Sequence, residues 1–234
     1  MADETLVFVP GLNCTAELFG RQISALGPHR ILVADHAHDD TLAAIAERLL
    51  ARAPERFALA GLSMGGYVAL EVLRQAPERV ARLALLDTSA RPDTDEQRES
   101  RERLIALAES GRFAEVHTEL WPRLVHPSRA ADRDLEAIVR RMMDDTGPEG
   151  FARQERAIMG RPDSRPGLPQ VEIPVLVLVG DEDALTPPHL AREMAEMIEW
   201  ASLVVVPDCG HLSTLERPEV VTDALRAWLA VETG

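Results

Sequence analysis

Phe57-Ala58-Leu59-Ala60-Gly61-Leu62-Ser63-Met64-Gly65-Gly66-Tyr67-Val68-Ala69-Leu70-Glu71-Val72-Leu73 is the stretch that decides how this chain is read. Its first four residues are a short apolar run, as in a buried strand. From Gly65 to Gln75 the pattern is helical. Between the two lies Gly61-Leu62-Ser63-Met64-Gly65. Gly-x-Ser-x-Gly alone arises by chance, but a strand before it and a helix after it make it specific. A serine at such a sharp turn takes a strained backbone, so the positions two before and two after it must be tiny. The helix N-terminus then aims its dipole and free N–H groups at the serine, where they favour negative charge. Ser63 is therefore the expected nucleophile. The competing reading is a helix cap among flexible glycines, which leaves the strand–turn–helix setting unexplained.

Outward from this turn the same rhythm repeats. Thr5–Val9, His29–Ala34 and Val80–Leu86 read as strands, and Thr15–Leu26 and Leu42–Ala53 as helices, the latter capped by Thr41. Strands that are apolar throughout, alternating with helices, predict a parallel sheet covered on both faces. From residue 91 to 170 no strand-like run occurs, and four helical segments are separated by Gly111, Pro122, Pro127, Gly147 and Pro148. The alternation resumes with the strands Val175–Val179 and Leu203–Val206 and the helices Pro188–Ile198 and Pro218–Leu229. The expected fold is α/β: a mostly parallel sheet of about six strands with helices on both faces. Its core spans 1–90 and 171–234, and residues 91–170 form a helical cap or lid insertion.

A serine hydroxyl needs a general base. Of seven histidines, His29, His36, His38, His117 and His126 fall in early loops or in the insertion, and His189 opens a helix. His211 follows the last strand, at the sheet edge where sites on open α/β sheets collect. The orienting acid should lie between Ser63 and His211 in the chain. Asp183, a few residues past the strand Val175–Val179, is best placed to reach the His211 loop. Asp181, Glu182 and Asp87 are its rivals, with surface solvation or turn formation as their ordinary roles. Acyl transfer also needs two N–H donors for the oxyanion. They are expected from Met64, after the nucleophile, and from Leu12, in the loop after the first strand. Asn13 is as well explained as a turn former.

Composition narrows the partners. A net charge of −14 disfavours nucleic acid and anionic membranes, and the basic stretch Arg98–Arg103 is interleaved with glutamates. All the basic side chains other than histidine are arginine. No apolar run approaches the roughly 20 residues that span a bilayer. The acidic start Met-Ala-Asp-Glu-Thr lacks a signal-peptide n-region, so a cytoplasmic location is expected. Cys14 and Cys209 lack metal-site spacing and are expected to be free thiols. No metal and no cofactor are expected. The expected partner is a small-molecule ester, with a homodimer as the oligomer to test.

Taken together, these segments resemble the α/β-hydrolase superfamily. Within it the chain is similar to small lidded serine esterases and 3-oxoadipate enol-lactonase-like enzymes. The segments are Val9-Pro10-Gly11-Leu12, Gly61-Leu62-Ser63-Met64-Gly65-Gly66, Gly180-Asp181-Glu182-Asp183 with Thr186-Pro187, and Gly210-His211 with Glu216 and Pro218. The resemblance implies a triad of Ser63, Asp183 and His211, with Leu12 and Met64 as oxyanion donors. Two features depart from the pattern. Pro10-Gly11 stands where many relatives carry His-Gly, and the chain begins at the strand before the oxyanion loop. The expected reaction is hydrolysis of carboxylic esters with small, largely apolar acyl groups. Enol-lactone or carbon–carbon bond hydrolysis, acyl transfer and slow-turnover ligand reception are the alternatives, because fold does not settle reaction. Specificity should lie in the insertion. Met142 and Met143, with Leu185 from the acid loop, are the expected pocket residues, and Phe151, Ile158 and Met159 are further apolar candidates. Arg140 and Arg141 are the arginines that would favour an anionic substrate.

Overall fold

A computed structural model describes residues 4–27 and 29–232. Met1–Asp3, part of the acidic start, lie outside them. Six strands form one sheet in the order β2-β1-β3-β4-β5-β6, and every pairing is parallel. They are β1 (Leu6–Val9), β2 (Ile31–Val33), β3 (Phe57–Leu62), β4 (Val80–Leu86), β5 (Val175–Gly180) and β6 (Ala201–Val206). The nine α-helices among the described residues are α1 (Gly20–Ala25), α2 (Leu42–Arg52), α3 (Met64–Gln75), α4 (Asp95–Glu109), α5 (Phe113–Leu124), α6 (Arg133–Met159), α7 (Pro188–Met197), α8 (Ser213–Glu216) and α9 (Pro218–Leu229).

Strand periodicity sorts the core into two layers. Val7, Val9, Leu59, Leu83, Leu85, Val177 and Val179 belong to one buried cluster, with Ile45, Val68 and Met194 from α2, α3 and α7. Their chain neighbours Leu6, Phe8, Ala58, Ala60, Leu62, Ala84, Leu86 and Leu178 belong to the other, with Leu18, Phe19, Leu225 and Trp228. Successive side chains on a strand point to opposite faces, so a sheet covered on both sides must be apolar at every position. The central strands β1, β3, β4 and β5 are buried at all positions. Arg82 is the polar exception in β4. It donates to the carbonyls of Trp228, Leu229 and Val231 at 2.8–3.1 Å and pairs with Glu4 at 2.9 Å, which ties down the C-terminal end of α9.

Some boundaries differ from those expected. The segment after β1 opens as a 3-10 turn, Ala16–Phe19, before α1. Residues 133–159 run as one helical span broken at Gly147, which takes φ 70° and ψ 166°. Pro148 forces that break, because the residue before a proline is pushed out of the helical region. Only glycine takes the resulting positive φ without strain. Helices α4 to α6 occupy the stretch between β4 and β5, where no strand occurs.

Candidate active site

The C-terminal ends of β1, β3 and β5, with the loop after β6, bring the candidate residues to one cavity of about 420 Å³. Ser63 lines it, between β3 and α3, with φ 56° and ψ −117°. A non-glycine residue at positive φ is strained, so the surroundings must hold it there. They hold it through its backbone. The Ser63 N–H donates to Leu86 O at 2.9 Å, and its carbonyl accepts from Gly66 N at 2.8 Å and Thr88 Oγ1 at 2.8 Å. The glycines are there for space. A Cβ on Gly61 would overlap the Gly65 carbonyl, and one on Gly65 would overlap the Val9 carbonyl. Gly65→Ala is therefore expected to destabilise the protein by about 3 kcal/mol or more. For a chain of this size that is roughly 6–12 °C in Tm by scanning calorimetry. A melting curve superimposable on wild type would refute the packing account.

Leu12 lines the cavity within a tight turn whose Cys14 N–H bonds to Gly11 O at 3.1 Å. Asn13 takes φ 58° in this turn, the positive-φ place that asparagine tolerates. Two residues brace the turn from outside. His36 Nε2 lies 3.0 Å from Gly11 O, and Gln154 Oε1 accepts the Asn13 N–H at 2.9 Å. The Leu12 N–H has no hydrogen-bond partner among the described residues. Met64 is the first residue of α3, ahead of the intrahelical ladder, so its N–H is also left over. The Met64 side chain is buried in the core.

His211 and Asp183 meet directly, with Nδ1 and Oδ2 2.8 Å apart and both side chains buried. Asp183 also accepts the Leu185 N–H at 2.8 Å, the Thr186 N–H at 2.9 Å and the Thr186 hydroxyl at 2.7 Å. Burial opposes the Asp183 charge, but His211 and these donors outweigh it and hold the carboxyl below its usual value. Burial likewise opposes the imidazolium of His211, but Asp183, Asp87 and Glu216 outweigh it and raise the pKa. Asp87, the rival acid, does something else. It accepts the Gly180 N–H at 3.0 Å and the Ser213 hydroxyl. Burial and the Asp183 charge push its carboxyl well above the usual carboxylate range. Glu216 accepts the N–H groups of Gly210 at 2.9 Å and His126 at 2.8 Å, joining the His211 loop to the end of α5.

The pocket residues divide. Met143, Leu185 and Ile158 line the cavity. Met142 does not: it is fully buried in the sheet-side cluster with Val139 and Trp121. Neighbours on a helix diverge by about 100°, so only one of the two methionines can face the cavity. Phe151 is also buried elsewhere, 5.6 Å from the Phe113 ring, and Met159 does not line the cavity. Arg140 and Arg141 face outward and pair with Glu136 and Glu17. The arginines at the cavity are instead Arg91, Arg101, Arg123 and Arg161. Both cysteines are free and buried. Cys14 also lines the cavity, and burial pushes its thiol up to about 12, which favours the protonated form. His36, Gln154 and Thr88 carry no local motif. Their partners lie 25 to 141 residues away, so no pattern in the chain marks them.

A sequence model of the alpha/beta hydrolase family matches residues 6–224. The pimeloyl-[acyl-carrier protein] methyl ester esterase of Nitrosomonas europaea is 30% identical over 186 residues, 77% of this chain and 74% of that protein. Among solved structures, a thermophilic esterase from Thermogutta terrifontis superposes with a TM-score of 0.88 at 33% identity, over 97% of this chain and 89% of that one. The enol-lactonase from Burkholderia xenovorans superposes with a TM-score of 0.87 at 25% identity, over 97% and 92%. No helix among the described residues is long and apolar enough to cross a membrane.

Proposed function

The chain belongs to the alpha/beta hydrolase family and is a hydrolase, and from that premise we propose that it cleaves carboxylic esters through an acyl-enzyme on Ser63. One observation carries the reading. Ser63 stands at a strained turn in a cavity that it shares with His211, and Nδ1 of that histidine is held by the buried Asp183 carboxylate at 2.8 Å. With Nδ1–H given to Asp183, the neutral ring presents Nε2 as its acceptor.

Ser63 Oγ attacks the ester carbonyl and passes its proton to His211 Nε2. The Leu12 and Met64 N–H groups take the oxyanion, and Asp183 stabilises the imidazolium. Collapse expels the alcohol, which takes the proton from His211. Water, activated by the same histidine, then releases the acid. Helices α4 to α6 act as the lid. Leu104, Leu120, Val139 and Met143 from them supply the apolar wall that suits a small acyl chain.

Two measurements test this. Short p-nitrophenyl esters should be turned over. An alkyl fluorophosphonate should stop turnover by adding one label, located at Ser63 by peptide mass mapping. Ester turnover that survives the reagent, or a label elsewhere, would sink the proposal.

A further inference from the structure

Glu216, the last residue of α8, is a buried carboxylate that the steps of ester hydrolysis leave without a task. Its two oxygens hold two segments that are distant in the chain. Oε1 accepts the N–H of Gly210, the residue before His211, at 2.9 Å. Oε2 accepts the N–H of His126, two residues past the end of α5, at 2.8 Å. Hydrogen bonds to a charged acceptor are roughly twice as strong as neutral ones, and the carboxylate has an oxygen for each donor.

Other contacts join the same two segments. The Leu212 N–H donates to Leu124 O at 3.0 Å, so the residues on both sides of His211 are tied to the end of α5. Arg129 Nη1 donates to the Glu216 carbonyl at 3.3 Å. A Cβ on Gly210 would overlap the backbone of Val125 and His126, so the two segments run against each other with no room between. Helix α5 is also part of the cavity wall, through Leu120 and Leu124. Asp183, for its part, holds the imidazole only at Nδ1. A ring held at one nitrogen can pivot, so the backbone at 210–212 decides where Nε2 lies. A misplacement of about 1 Å at a catalytic group costs on the order of a hundredfold in rate.

We propose that Glu216 is a positioning residue for His211: it fixes the histidine loop to the end of α5, so that the imidazole is kept in register with Ser63 by the lid as well as by the sheet. The inference rests on the reading of His211 as the general base. The helix that walls the cavity thereby also supports the base.

Glu216→Gln tests this, because it keeps the shape of the side chain, removes the charge and turns an amide NH₂ towards one of the two N–H groups. On short p-nitrophenyl esters kcat should fall about tenfold to a hundredfold, with KM changed by less than about threefold. The acid limb of kcat/KM should move to lower pH. Burial works against the His211 imidazolium, and the Glu216 charge adds to those of Asp183 and Asp87 in raising its pKa. Burial raises the pKa of Glu216 itself, against the His126 and Gly210 N–H groups and the Arg129 and His126 charges, so the profile is followed to the alkaline side of neutrality. Glu216→Asp keeps the charge but is one methylene too short to reach both donors, so it should lose kcat while the acid limb stays in place. An acid limb unmoved in Glu216→Gln, or a rise in KM that accounts for the loss, overturns the proposal. Amide exchange on the wild-type protein needs no variant to fold. Gly210 and His126 should open in one event, with protection factors equal within about tenfold, and a larger difference overturns the proposal. His211→Ala separates the two readings. Turnover that survives in it overturns the base reading and this inference together. An inactive His211→Ala beside a Glu216→Gln with wild-type kcat and pH profile overturns this inference alone.

Discussion

Ser63→Ala is expected to lower kcat on short esters by about 10⁵-fold or more, with KM changed only a few-fold. The size follows from what the hydroxyl does. Without it there is no covalent step, and only the Leu12 and Met64 N–H groups and the cavity remain to act on the carbonyl. Loss of folding would mimic this result, so the backbone supplies the control. Ala takes the same strained φ as Ser, and the bonds to Leu86, Gly66 and the Thr88 hydroxyl use only the N–H and carbonyl of residue 63, not its side chain. The Tm of Ser63→Ala should therefore stay near that of wild type. Ser63→Gly should be equally inactive yet more stable. Relief of the positive φ is worth about 1–3 kcal/mol, against roughly 0.5–1 kcal/mol for the extra entropy of glycine. Residual activity in either variant within about a hundredfold of wild type would remove Ser63 from the chemistry.

Asp183→Asn is expected to cost about 10⁴-fold in kcat, because an asparagine can donate to Nδ1 and so favour the wrong tautomer. Its pH profile distinguishes this from a loss of packing. His211 must be neutral to accept the serine proton, so kcat/KM falls as pH drops through the pKa of the Asp183–His211 pair. In wild type that pKa is raised above the ordinary histidine value: burial works against the imidazolium, and the Asp183 charge outweighs it. The acid limb should therefore lie above the usual imidazole range. Removing the Asp183 carboxylate removes the foremost raising charge, so the acid limb of the residual activity should move to lower pH. Asp87→Asn is the contrasting variant. Burial keeps the Asp87 carboxyl well above the usual carboxylate range, and its contacts are to Gly180 and Ser213. It should lower Tm more than kcat. If Asp87→Asn loses as much kcat as Asp183→Asn, Asp183 is not the sole orienting acid.

The uninterrupted apolar strands and the glycines at 61 and 65 were enough to read a parallel sheet with a serine turn at the end of its third strand. Both are local consequences of chain chemistry. A strand covered on both faces has no polar positions, and a turn that presses against neighbouring carbonyls has no room for a Cβ. That Asp183 and His211 would meet was legible for a related reason, since strand ends in such a sheet converge on one edge. Facing direction and bracing were decided only by the tertiary structure. Nothing in the sequence separates Met142 from Met143, yet helix rotation buries one and turns the other towards the cavity. Nothing local joins Gln154 to Asn13, 141 residues apart. The ion pairs of Arg101 with Asp93 and Glu155, and of Arg161 with Asp93, form only because α4 and α6 pack together in space. Pairing between distant charges depends on where the chain returns in space, and a linear pattern does not record that.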